Sequence, residues 1–171
     1  LLLTGTVLLH NVIFNWLPAG TLRFWSNEDF DNNTFTSTLA SSYMKIALVL
    51  LAIVIIAIVV FWKMPEASWI ISTYLFLLAL AIFTITQNIF TAKIEPLYYA
   101  YLTISYSILA LALGSLLAYL GFGATGVLAG ITLGTLIPSL FVFKKTWLPY
   151  KKEAYSSDLF KRPLTYGLPF A

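Results

Sequence analysis

The sequence contains no cysteine, a single histidine and few charged residues, which make up 10% of its 171 positions. About a quarter of the residues of a soluble globular domain are charged, so water is the wrong solvent for most of this chain. Without cysteine there is neither a disulfide framework nor a thiolate metal site. The chain also lacks a Gly-rich phosphate loop ending in Gly-Lys-Ser/Thr. We therefore predict no catalytic set, no metal and no cofactor.

Apolar residues make up 60% of the chain and occur in long runs. At about 1.5 Å per residue, four runs are long enough to cross a hydrocarbon core about 30 Å thick: residues 39–62, 68–90, 97–120 and 122–143. A fifth run, residues 1–25, is polar for a membrane helix, and Pro18 is a candidate kink in it.

The spanning segments are predicted to be helices because backbone groups in lipid must be paired within the segment. Residues 46–61 contain no polar side chain, which excludes the alternating pattern of a β-barrel. The predicted fold class is therefore all-α, a polytopic transmembrane bundle of about five helices. No methionine precedes Leu1, and another apolar stretch begins at residues 164–171. We interpret residues 1–171 as a single transmembrane region cut from a longer protein.

The connections predict how the helices are threaded. Short ones at residues 63–67, 91–96 and around Gly121 make consecutive helices antiparallel neighbours. Residues 26–38, 91–96 and 144–163 then share one face of the membrane. All but one of the ten basic residues, Lys45 among them, are assigned to this side, and Lys63 is alone on the other. Because basic residues mark the cytoplasmic side, we predict these three stretches to be cytoplasmic in a cell (inner) membrane.

Polar side chains are concentrated in the first predicted helix. Asn11 and Asn15 share a helix face, His10 precedes Asn11, and Arg23 follows two turns after Asn15. These four are candidate substrate-binding residues lining a polar cavity. In the alternative reading, the histidine and the asparagines bond neighbouring helices and Arg23 reaches the headgroups. All seven acidic residues lie in loops or at helix ends, so these helices show no ion-coupling carboxylate.

Other polar and small residues are assigned to packing. Gly126, Gly130 and Gly134 repeat every four residues and predict a seam where two helix backbones approach closely, with Pro138 continuing the same face. Gln87 and Asn88 are expected to bond between helices rather than to bind a ligand.

A basic stretch with interleaved aromatic residues follows the last complete run. It is expected to lie on anionic lipid headgroups, and positive-inside charge explains it without a nucleic-acid partner. The predicted headgroup contacts are Lys144, Lys145, Lys151, Lys152, Lys161 and Arg162.

Three stretches of the chain resemble one known family. They are residues 16–25 (WLPAGTLRFW), residues 119–134 (YLGFGATGVLAGITLG) and residues 164–170 (LTYGLPF). Their order and spacing resemble the end of the second helix, the turn between the fifth and sixth helices, and the start of the seventh helix in polysaccharide transporters, or oligosaccharide flippases. That family belongs to the multidrug/oligosaccharidyl-lipid/polysaccharide exporter superfamily. The resemblance covers nearly the whole chain.

The resemblance implies helices two to six, most of the N-terminal lobe, of a transporter with twelve to fourteen helices. It implies movement of a lipid-linked oligosaccharide across the membrane by alternating access, with the remaining helices as partners and no enzymatic activity. Arg23 matches the family's Leu-Arg-Phe arginine. Its guanidinium suits the oxygens of a pyrophosphate.

Three alternatives stay open. A multidrug cation antiporter of the same superfamily would share the fold. A membrane enzyme would need acid or histidine clusters at the headgroup level, and a structural subunit would gain nothing from the polar first helix.

Overall fold

The structure, a computed structural model, describes residues 2–25, 32–60 and 67–147. Within these ranges it contains helices and no strand, so the predicted all-α class is confirmed. The helices are α1 (Leu2–Phe14), α2 (Trp16–Phe24), α3 (Asn32–Val60), α4 (Ala67–Ala92), α5 (Pro96–Leu117), α6 (Gly123–Phe141) and the short α7 (Phe143–Thr146). The predicted connection at residues 63–66, most of the basic stretch (148–163) and the apolar stretch at 164–171 lie outside the described residues.

Three helical stretches of the described chain are long and apolar enough to cross a membrane. They are Thr34–Val60, Trp69–Ala92 and Pro96–Phe141. The third has 46 residues and would be about 70 Å long if straight, more than twice the hydrocarbon core. It folds back on itself instead, because Gly121 has a φ of 89° inside the wide turn Ala118–Phe122. The predicted turn around Gly121 is confirmed, and α5 and α6 form a hairpin.

The first predicted crossing is divided into α1 and α2 at Asn15, within one turn before Pro18, although Asn15 keeps helical angles (φ −59°, ψ −25°). Pro18 has no N–H to give to the carbonyl of Phe14, so one backbone bond of the helix is missing in the turn before the proline. The indole Nε1 of Trp16 donates to the Ile13 carbonyl at 2.9 Å beside this break. One carbonyl near the interruption therefore gains a partner inside the apolar bundle.

The structure also corrects the polar connection expected at residues 26–38. α3 already begins at Asn32, and Phe35 to Leu39 are buried. Serine and threonine hydroxyls bond to carbonyls of their own helix, as Thr38 does to Thr34 at 2.8 Å and Ser42 to Thr38 at 2.7 Å. Because each hydroxyl is satisfied locally, a polar sequence can continue as a buried helix.

α4 is the central helix and packs against α1, α2, α3, α5 and α6. The main apolar core lies on its α1, α2 and α3 side. It contains buried residues from each helix, among them Phe14, Leu17, Leu39, Ile85 and Ile89.

The glycines of α6 form the predicted seam, and its partner is α5. A Cβ added to Gly130 would overlap the backbone of Gly114, and one added to Gly134 would lie 2.6 Å from the backbone nitrogen of Ala110. Only a residue without a side chain fits at either contact. The prediction that these glycines pack two helices together is confirmed.

Candidate functional site

His10, the first of the four candidate residues, is buried between α1 and α4. Its Nε2 lies 3.3 Å from the hydroxyl oxygen of Thr84, and its Nδ1 lies 3.5 Å from Oδ1 of Asn11. Its ring stacks on Phe14 with centroids 5.9 Å apart. His10 therefore joins two helices of the bundle.

The other three candidates do not share that position. Successive helical residues are about 100° apart, so Asn11 points to a different side of α1 from His10 and is exposed. Asn15 is half-buried at the break before α2, and Arg23 is exposed in the last turn of α2. Of the four candidates, the structure therefore brings His10 and Asn11 into contact with each other. Asn15 and Arg23 lie further along, at the start and at the end of α2.

Polar side chains of α4 hold neighbouring elements. Gln87 donates from Nε2 to the hydroxyl oxygen of Thr103 on α5 at 3.0 Å, so its predicted role between helices is confirmed. Asn88 instead donates to the Thr84 carbonyl of its own helix at 2.8 Å, so the same prediction was wrong for Asn88. The Trp147 indole donates to the hydroxyl of Thr86 at 3.1 Å, which holds the end of α7 on α4.

Two tyrosines fix the register between α3 and α4. Tyr43 on α3 donates to the Leu78 carbonyl, and Tyr74 on α4 donates to the Ala47 carbonyl, each at 3.2 Å. Both bonds lie near the middle of the two helices.

Lys45 lies between the two tyrosine contacts, and its side chain is exposed. From the sequence, Lys45 is expected on the cytoplasmic side with the other basic residues, at the start of a crossing that begins at residue 39. With α3 starting at Asn32, Lys45 is near mid-helix instead. Hydrophobic periodicity predicts a helix, but it gives neither the residue where the helix begins nor its register against a neighbour.

A cluster of charged and aromatic side chains lies at the end of the bundle where α4 ends. The Lys145 ammonium is 2.7 Å from Glu95 Oε2 and 3.6 Å from the centroid of the Tyr98 ring. The hydrogen bond to Glu95 raises the pKa of Lys145. Lys93 lies over the Trp25 ring at 5.2 Å, and burial lowers its pKa.

This cluster is not predicted from the sequence, because its members are far apart in the chain. The one available signal was Glu95, an acidic residue on the side of the bundle where nearly all basic residues are expected, since a partner lysine could be sought for it there. Among the described residues, no group of three or more His, Asp or Glu side chains is placed to hold a metal ion.

Fold and composition together define a class: an all-α bundle whose longest helices suit a membrane. Searches with the chain find no matching family model, no matching curated protein and no matching solved structure.

Proposed function

We propose that this chain is the helix-two to helix-six part of a membrane transporter that moves a lipid-linked oligosaccharide across the cytoplasmic membrane. The observation that carries the proposal is the exposure of Asn11 and Arg23 on a helix pair whose other side packs against α4. An amide facing hydrocarbon is costly, and Asn11 lies well inside the first helix pair. Water or further protein beside Asn11 removes this cost, and an alternating-access transporter supplies both.

Arg23 is the proposed substrate contact at the inner end of this path. It lies in the last turn of α2, two residues before Trp25, and the Lys93 ammonium lies over the Trp25 ring. A guanidinium presents two parallel N–H groups to phosphate oxygens, and a pyrophosphate linkage offers such oxygens. His10, Asn11 and Asn15 contribute polarity at greater depth, and His10 does so through its contact with Thr84.

The proposed orientation follows from the clustering of positive charge. Arg23, Lys93, Lys144 and Lys145 all belong to the end of the bundle where α2, α4 and α7 finish. Under the positive-inside rule this end is cytoplasmic. At this end Lys144 is the proposed contact for anionic headgroups, whereas Lys145 is already engaged by Glu95.

Export of the glycan in cells that carry the whole protein tests the proposal. Arg23→Ala should reduce surface glycan more than Arg23→Lys, because lysine keeps the charge and loses only the two-pronged geometry. The amount of protein in the membrane is measured for each variant, so that loss of folding is separated from loss of transport.

Unchanged export in Arg23→Ala removes Arg23 from the mechanism. If deletion of the gene causes sensitivity to amphipathic cations while surface glycan is retained, the flippase proposal fails in favour of the multidrug antiporter.

A further inference from the structure

His10 is an ionisable side chain inside the helix bundle, and only 4% of its surface is exposed. Its partners are the hydroxyl of Thr84, Asn11 on its own helix and the ring of Phe14. Thr84 lies well inside α4, so the imidazole is far from both ends of that helix. An ionisable group within a membrane is costly and points to a function, and imidazole is the side chain that exchanges a proton near neutral pH.

The two ring nitrogens of His10 have different partners. Nδ1 lies 3.5 Å from Oδ1 of Asn11, an atom that only accepts hydrogen bonds, so Nδ1 carries the hydrogen of the neutral ring. Nε2 then presents a lone pair to the hydroxyl of Thr84, whose oxygen is 3.3 Å away. Both nitrogens of a neutral His10 are therefore satisfied, and Nε2 at the α1–α4 contact is the atom that can take up a further proton.

The Thr84 hydroxyl can serve both charge states of the ring. Its oxygen also lies 3.1 Å from the Ala81 carbonyl oxygen. When Nε2 is protonated, the hydroxyl can donate to that carbonyl and accept from Nε2, because a hydroxyl is both a donor and an acceptor. Proton uptake thus leaves no hydrogen-bonding atom of His10 or Thr84 unpaired.

The charge of the protonated ring is not balanced by these partners. The titratable or charged groups on the helices around α1 are Arg23 on α2, Tyr43 and Lys45 on α3, and Tyr74 on α4. None of them is among the partners of His10, and helices α1 to α4 contain no acidic residue. Burying a charge without a counter-charge is costly. Protonation therefore favours a conformation in which α1 leaves α4 and water reaches the ring.

We propose that Nε2 of His10 is a proton-binding site and that uptake of one proton there separates α1 from α4. The proton adds to the lone pair of Nε2, and the same atom returns it to water when the two helices pack again. The proton site stands on the contacts of His10 alone. The coupling of this proton to movement of a glycan rests on the proposed function.

The distance between α1 and α4 in the whole protein, in lipid vesicles, tests the proposal. Spin labels are attached to Leu8→Cys on α1 and Leu75→Cys on α4, two exposed positions, with any cysteine outside these 171 residues replaced. From pH 8 to pH 5 the ratio of separated to packed molecules should rise. The rise reaches about thirtyfold when only the separated form is protonated, with the ordinary histidine pKa of about 6.5.

His10→Gln is the matched variant, because its amide can donate and accept hydrogen bonds but does not titrate. We expect its ratio of separated to packed molecules to stay the same at both pH values. No rise in the parent, or an equal rise in His10→Gln, overturns the proposal.

The ring itself also reports the proton, which keeps the test independent of the folding of His10→Gln. His10 is the only histidine of these 171 residues. In nitrogen resonance spectra of the whole protein with labelled histidine, its signals are identified by transfer from labelled threonine, since Thr84 is 3.3 Å away. We expect one protonated ring nitrogen at pH 8 and both at pH 5, and a ring that stays neutral at pH 5 overturns the proposal.

Movement of a fluorescent lipid-linked oligosaccharide across vesicles with an imposed pH difference tests the coupling. The parent should respond to the pH difference and His10→Gln should not. An equal response of both removes His10 from the coupling. If no glycan moves under any condition, the proposed function fails, whereas the spin-label and nitrogen measurements still decide whether His10 binds the proton.

Discussion

Lys145 and Glu95 form an ion pair of 2.7 Å that ties α7 to the connection between α4 and α5. Lys145 lies in α7, directly after the α5–α6 hairpin, whereas Glu95 lies just before that hairpin in the chain. Through this pair, and through the Trp147 bond to Thr86, the chain leaving α6 is held against α4.

We predict that Glu95→Gln and Lys145→Gln each destabilise the protein and that the double substitution costs less than the sum of the two. The coupling should weaken as salt rises, because both side chains are partly exposed to solvent. The hydrogen bond raises the pKa of Lys145 above the ordinary 10.5. On the alkaline side, its contribution is therefore fully present from neutral pH up to pH 10.5 and is lost only as pH rises through the raised value.

Unfolding in detergent measures this coupling, and strictly additive single effects would show that the pair contributes nothing. A contribution that disappears between pH 6 and 9 would contradict the assigned direction of the pKa change.

Gly130→Ala should destabilise the α5–α6 hairpin by about 1 to 3 kcal/mol, the usual cost of overpacking. The new methyl group would overlap the backbone of Gly114, which has no flexible end to move aside. Gly5→Ala is the matched control, because no atom lies within 4 Å of its added Cβ. It should be neutral or stabilise α1 by up to about 1 kcal/mol, since alanine is the better helix former.

The unfolding free energies of Gly130→Ala and Gly5→Ala, measured side by side, test this prediction. Equal effects would mean that the seam is not a close contact.

Ile94→Gly should stabilise the protein by about 1 kcal/mol. Ile94 has a φ of 55°, a left-handed conformation that a β-branched residue adopts only at a cost of about 1 to 2 kcal/mol. It follows the end of α4, where the backbone N–H of Glu95 bonds to the Phe90 carbonyl at 2.9 Å and that of Ile94 bonds to Thr91 at 3.1 Å. This arrangement usually ends in glycine.

Ile94→Val keeps the branched side chain and should leave stability within about 0.5 kcal/mol of the parent. A glycine variant that is less stable than the parent would refute the argument from backbone conformation.

Tyr43→Phe and Tyr74→Phe should each reduce stability by about 0.6 kcal/mol, the average for hydrogen bonds between membrane helices. Each removes one hydroxyl that joins α3 to α4. If neither substitution changes the unfolding free energy, these two bonds do not hold the register between α3 and α4.

The sequence predicts a helix correctly where the residue types of a segment allow no other structure in lipid. Residues 46–61 have no alternative to a helix in lipid, and the glycines of α6 repeat at the spacing of one helix face, so both were recognised. The turn at Gly121 follows from the same reasoning, since a single helix of that length does not fit a membrane.

The missed features depend on which residues meet across helices. The start of α3 at Asn32 was hidden by polar residues whose hydroxyls bond within the helix. The contact of His10 with Thr84 and the Glu95–Lys145 pair join distant positions, and hydrophobic periodicity carries no information about such pairs. Lys45 lies nearer the middle of its helix than expected, because α3 begins at Asn32 rather than at residue 39.

The threading of the helices through the membrane is the claim on which the transport proposal depends. Tyr119→Cys, in the exposed turn between α5 and α6, and Lys144→Cys, in α7, measure it directly with an impermeant thiol reagent on intact cells and on inverted vesicles. Tyr119→Cys should react only on intact cells and Lys144→Cys only on inverted vesicles. Reaction of both from the same side would contradict the threading and the transporter proposal with it.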